Sequence, residues 1–174
     1  NPGGIVIAAK TAEGLRVMNQ KIRDRELKKY YLCIVHGTLP RPAGRLEGYI
    51  LKDEAKKQVT VSSRPRPGAK TAVTLYETLA VRNGLSLVRC QLITGRTHQI
   101  RAQFAAAGHP LLGDGKYGSE RQNKRYGRSY QALYSYRLEF CFTTDAGALA
   151  PLDGQQFQVE QVDFVTEYFP GFSL

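Results

Sequence analysis

The run Leu92-Ile93-Thr94-Gly95-Arg96-Thr97-His98-Gln99-Ile100-Arg101, continued by Ala106-Ala107-Gly108-His109-Pro110-Leu111-Leu112-Gly113-Asp114, organises the reading of this chain. An apolar strand end meets Thr-Gly, a pair that lets the backbone bend sharply. Thr97 is placed to cap a helix whose apolar positions Ile100, Phe104 and Ala107 recur at i, i+4 and i+7. Gly108 ends that helix, and Pro110 stands just beyond it. Arg96 then falls on a strand-to-helix turn, at the helix end whose free N–H groups favour anions. A lone arginine there is most often a solvated charge. His98, Gln99 and Arg101 on the same turn make an anionic partner the better expectation.

The 174 residues read as a single domain, 1–174, long enough to bury most of the chain without staples. Lys and Arg number 25 against 15 Asp and Glu, a formal net charge of +10. A basic excess of this size is the electrostatic footprint of nucleic-acid binding. A membrane surface competes as a polyanion, but no long apolar run or basic amphipathic helix stands out. Cys33, Cys90 and Cys141 lie far apart inside apolar runs and read as buried reduced thiols of a cytoplasmic protein. His36, His98 and His109 lack ligand spacing, so no metal is expected.

Taken in order, Gly4 to Ala9 reads as a short buried strand. Thr11 caps a helix to about Arg25, with Leu15, Met18 and Ile22 on its apolar face. A strand from Tyr30 to Val35 turns Tyr31, Cys33 and Val35 to one side and Tyr30, Leu32 and Ile34 to the other. Arg45–Leu51 and Lys57–Val61 flank a charged turn and form a hairpin. Residues 64–68 are a Pro-Gly loop. Ala72–Val81 and Leu85–Leu92 form a second hairpin around Asn83-Gly84, and its outgoing strand delivers the chain to Arg96. The basic, glycine-rich residues 115–128, interleaved with Tyr117 and Tyr126, read as a solvated loop or an RNA contact. A strand from Gln131 to Phe142, another at Gln155–Val159 and a short helix near Asp163–Tyr168 complete the chain. Strands outnumber helices and hairpins dominate. The expected class is α+β, a mixed, mainly antiparallel sheet with a few packed helices.

The string Gly-Arg-Thr-His-Gln-Ile-Arg, a short helix, then Gly-His-Pro-Leu-Leu-Gly-Asp-Gly-Lys-Tyr-Gly resembles the signature of the RluA-type pseudouridine synthases. The likeness extends along the chain. Asn1-Pro2-Gly3-Gly4 resembles the tail of that family's His-Arg-Leu-Asp-x-x-Thr-Ser-Gly motif, with Pro2 where Thr is usual. Arg25 to Tyr31 is similar to the motif that carries an active-site tyrosine, at Tyr31. Thr74-x-Tyr76 and Gln131 to Leu138 also fit, with Tyr134 where His is common. Aligning Gly4 with the motif's final glycine puts the catalytic aspartate two residues ahead of Asn1, outside the 174 residues. Asp114 belongs to the later glycine-rich block and reads as turn chemistry. The expectation is a core fragment of a synthase, N-terminally truncated and inactive by itself.

The resemblance implies conversion of uridine to pseudouridine in structured RNA, ribosomal or transfer, with no cofactor. The N1 glycosidic bond breaks, the base rotates and is rejoined through C5. Extruding the uridine costs a few kcal/mol unless it is already unpaired. Tyr31 is implied as the platform under the uracil. Arg96 is implied as the partner that keeps the aspartate ionised, since an opposite charge nearby lowers a carboxylate pKa by roughly 1–3 units. Lys28, Lys29, His98, Arg101, Lys116 and Tyr117 are the expected RNA contacts. Taken singly, each is more often a solvated charge or a packed ring. The competing reading is an RNA-binding module of the same fold that performs no chemistry. A DNA-binding protein is disfavoured because no helix-turn-helix or zinc module is present.

Overall fold

A computed structural model describes residues 3–174. Its strands are β1 (Gly3–Gly4), β2 (Leu27–His36), β3 (Ala43–Asp53), β4 (Gln58–Ser62), β5 (Lys70–Arg82), β6 (Leu85–Leu92), β7 (Leu133–Phe140) and β8 (Gln156–Gln158). The helices are α1 (Ala12–Arg23), α2 (Gln99–Ala106), α3 (Glu120–Arg125) and α4 (Asp163–Tyr168), with a 3₁₀ turn at Gly147–Leu152. All strands join one sheet in the order β1-β7-β2-β6-β5-β3-β4, and β8 lies on the β1 side of β7. Every pairing is antiparallel except β1 with β7. The α+β class with a mainly antiparallel sheet is therefore what the chain adopts.

β2 is an interior strand of the sheet, between β7 and β6, and its alternation holds. Leu32 and Ile34 pack with Tyr136 and Phe164 on one face, while Cys33 and Val35 pack with Ile100 and Phe104 on the other. The β5–β6 hairpin turns on Asn83 (φ 50) and Gly84 (φ 75), the two positive φ values that match the twist of a tight hairpin. The β3–β4 hairpin also forms at its expected place.

Several expectations are corrected by neighbours distant in sequence. The strand expected over Gly4 to Ala9 stops at Gly4, with one further bond from Ile5 N–H to the Ser135 carbonyl. β8 pairs with Arg137 to Glu139 on that same edge of β7, so residues 5–9 have no edge left to pair with. Val6 is 85 % exposed as a result. Thr11 caps α1, accepting from Gly14 N–H at 3.0 Å, yet Leu15 and Ile22 face outward. The buried face of α1 is Gly14, Met18 and Lys21. Lys21 is admitted because its ammonium meets Glu26 at 2.6 Å and the Thr144 carbonyl and hydroxyl. Residues 115–128 are not a plain loop: they contain α3, anchored by buried Asn123, which bonds His36 and the Gly113 amide. Cys33 and Cys90 are buried with their sulfurs 3.7 Å apart, whereas Cys141 is only half-buried.

Candidate active site

The turn that carries Arg96 is fixed by two glutamines. The Gln99 carbonyl oxygen accepts from the Thr94 hydroxyl at 2.8 Å and the Arg96 amide at 3.0 Å. Its amide group donates to the Val73 carbonyl and the Thr74 hydroxyl oxygen. Thr74 in turn donates to Gln103, which reaches the Leu46 and Ala72 carbonyls. Gln99 thus uses all its hydrogen-bonding capacity in the interior, as a buried amide must. This ladder bolts α2 to β5 and replaces the expected cap: Thr97 is exposed, and His98 precedes the helix in a left-handed conformation (φ 52) with no side-chain cap bond. Composition does not show the ladder. Its signal is the pair Gln99 and Gln103, one helical turn apart among the apolar residues that face the sheet. At the other end, Gly108 (φ +84) terminates α2 as expected.

Held this way, the Arg96 Nε donates to the Thr71 carbonyl at 3.0 Å, while its terminal nitrogens have no partner among the described residues. A cavity of 260 Å³ opens beside it, lined by Tyr31, Leu92, Arg96, Gln131 and Leu133 among others. Tyr31 and Arg96, about sixty-five residues apart in sequence, therefore share one cleft. The sheet register also sets Gly4, Ser135 and Tyr31 in one row across β1, β7 and β2. That puts Gly4 two strand spacings, or about 10 Å, from Tyr31. Asn1 and Pro2, in the tail of the first motif, lie outside the described residues.

The expected RNA contacts divide into groups. Arg101 lines the cavity but is committed to Asp114, with Nε to Oδ2 at 2.7 Å and a terminal nitrogen to Oδ1 at 2.8 Å. Burial opposes ionisation of Asp114; the Arg101 guanidinium and the Tyr117 and Lys116 amides outweigh it and hold the carboxyl below the usual range. His98 Nδ1 pairs with the Tyr117 hydroxyl at 2.9 Å, and that hydroxyl accepts from the Val59 amide. Burial and the charges of Arg101 and Lys116 lower the His98 pKa, so the ring is neutral at pH 7. Lys116 reaches the Lys57 carbonyl, and Lys28 an oxygen of Glu139 at 3.5 Å. Lys29 projects from the Tyr31 face of β2, its Nζ 3.3 Å from where a Cβ on Gly95 would stand. Burial lowers its pKa, and it has no partner among the described residues. The same residues hold no cluster of three metal-ligating side chains and no helix long and apolar enough to cross a membrane.

A sequence profile described as RNA pseudouridylate synthase matches residues 3–106. The chain belongs to that family. The RluA-type resemblance read from the motifs is thereby borne out. An uncharacterized RNA pseudouridine synthase of Mycoplasma genitalium, MG370, is 37% identical over 145 residues, which cover 80% of this chain and 44% of the relative. Ribosomal large subunit pseudouridine synthase C of Escherichia coli is 31% identical over 146 residues, with the same shares, 80% and 44%. The chain thus spans under half the length of these family members. Human RNA Pseudouridylate Synthase Domain Containing 4 superposes with a TM-score of 0.67 at 22% identity, covering 88% of this chain and 65% of that one. At that identity the likeness speaks for the fold.

Proposed function

We propose that the cleft between Tyr31 and Arg96 receives a uridine extruded from RNA, and that the protein to which these residues belong isomerises it to pseudouridine. The observation that carries this reading is the shared 260 Å³ cavity, which brings the tyrosine and the arginine of separate motifs together. Tyr31 lies under the uracil and supplies stacking, which offsets part of the cost of extrusion. Arg96, steadied through its Nε, offers its terminal N–H groups to a carboxylate and keeps it ionised. In the isomerisation the N1–C1′ bond breaks, the base turns, and C5 bonds to C1′. The C5 proton leaves and N1 regains one, so atoms balance without a cofactor.

Among the described residues no free carboxylate lines the cleft, since Asp114 is taken by Arg101. We assign that role to the aspartate of the first motif, supplied from ahead of Asn1, with the 174 residues acting as one catalytic-core piece. The RNA is ribosomal or transfer RNA of the cytoplasm. The test compares the 174-residue chain with a version extended upstream through the Arg-Leu-Asp motif, assayed for pseudouridine on ribosomal and transfer RNA transcripts. Product is expected only from the extended chain, and Arg96→Met abolishes it. Turnover by the 174-residue chain, or an undiminished rate in the variant, overturns the assignment. RNA binding without turnover in the extended chain would favour a non-catalytic module.

A further inference from the structure

A second cavity, of 180 Å³, opens on the other side of Arg96. Its floor is apolar: Ile50 on β3 and Val59 on β4, each 5 % exposed. Lys52, Lys70 and Arg96 also line it. The register explains the grouping. Ile50 and Lys52 stand two apart on one face of β3, Ile50 opposite Lys70 on β5 and Lys52 opposite Val59 on β4. We propose that this cavity seats a backbone phosphate of the RNA next to the uridine held in the Tyr31 cleft. This rests on the RNA reading above and deepens it by giving the strand a direction, from Tyr31 across Arg96 toward the β3–β4 hairpin.

Three observations favour a single phosphate. The space is smaller than the 260 Å³ cleft assigned to the uridine, so it suits one group rather than a second base and sugar. A cation is available: Lys70 has no partner among the described residues, and Arg96, whose terminal nitrogens are assigned above to the carboxylate, adds its charge to the rim. The acid bonded to this set is Glu54, 2.7 Å from Lys52, in a pair whose side chains are 51% and 78% exposed. Such a pair is worth little and yields readily to a phosphate. Finally, the buried floor displaces water from one side of the site, which strengthens the attraction between the rim and an anion. Arg96 lines both cavities, so one guanidinium sits between the reacting nucleotide and the phosphate beside it.

The test measures affinity of the 174-residue chain for a single-stranded oligouridine as a function of KCl. The wild type is compared with Lys52→Ser/Lys70→Ser and with a charge-matched control at exposed positions away from the cleft, Lys10→Ser/Arg16→Ser. Losing one phosphate contact on a single strand makes the slope of log K against log salt shallower by about 0.7. That change is expected in the cavity variant and not in the control. Equal slopes in the two variants overturn the phosphate site while leaving RNA binding intact. Salt-independent binding by the wild type, or none, overturns the site together with the RNA reading. Lys52 and Lys70 are both exposed, so unchanged thermal melting of the variant is expected and verifies that its fold is intact.

Discussion

Replacing Asp114 by Asn tests how the wall of the Tyr31–Arg96 cleft is built, since Arg101 lines that cleft and Asp114 holds it. Asp114 is fully buried and accepts four hydrogen bonds: two from Arg101 and one each from the Lys116 and Tyr117 amides. Asn keeps an oxygen for the two amides but presents an NH₂ group to a guanidinium that is itself only 13% exposed. Breaking a buried pair this way strands the remaining charge and costs about 3–5 kcal/mol. For a domain of this size each kcal/mol moves Tm by about 2–4 °C. A fall of about 6–20 °C is therefore expected in calorimetry at pH 7. Adding Arg101→Met to Asp114→Asn removes the stranded cation, so the double variant should be more stable than the sum of the single changes, by about 0.5–3 kcal/mol. An Asn variant melting within about 2 °C of wild type, or a cycle with no coupling, would refute the view that Arg101 is held by Asp114 rather than free for RNA. Because the Asp114 carboxyl titrates below its ordinary 3.8, its contribution is full above that pH and fades as the solution is acidified further.

Two more outcomes follow from the packing. The Glu26 carboxyl is lowered from 4.5 to about 2 by Lys21, then by Thr143 against the cost of burial, with a further bond from Thr144. Its native pKa is depressed, so it stabilises the fold above pH 4.5 and loses that effect as pH falls toward 2. Urea midpoints of the wild type should drop across this window more than those of Glu26→Gln; parallel curves would count against the pairing. Gly113 has φ +77, and a Cβ there would stand 2.0 Å from the Tyr130 carbonyl oxygen. Gly113→Ala should therefore cost more than the roughly 1–2 kcal/mol of a left-handed L-residue alone, read by urea denaturation. A loss below about 1 kcal/mol would mean the turn relaxes freely.

The local order of the chain was largely legible. Alternation in β2, the Asn83-Gly84 hairpin, the Thr11 cap and the Gly108 stop depend on residues adjacent in sequence, and each appears where its pattern lies. Tyr31 and Arg96 could be singled out because their motifs are ordered strings. Their meeting in one cleft needed β2 and β6 to pair along eight residue pairs, a contact between distant segments.

What the sequence determined by itself was the class, the hairpins, the basic charge and the family, because those reside in periodicity, turn chemistry and motif order. Tertiary structure decided which polar groups are free to act. Arg101 and Arg96 are indistinguishable as charges on one turn, yet one meets a buried carboxylate and the other keeps its terminal nitrogens open. Lys21 outranked Leu15 for the interior in the same way, and β8 took the edge that residues 5–9 would have used. The physical reason is common to all three. The free energy of a buried charge or an unpaired strand depends on its partner, and these partners are brought close only by the fold.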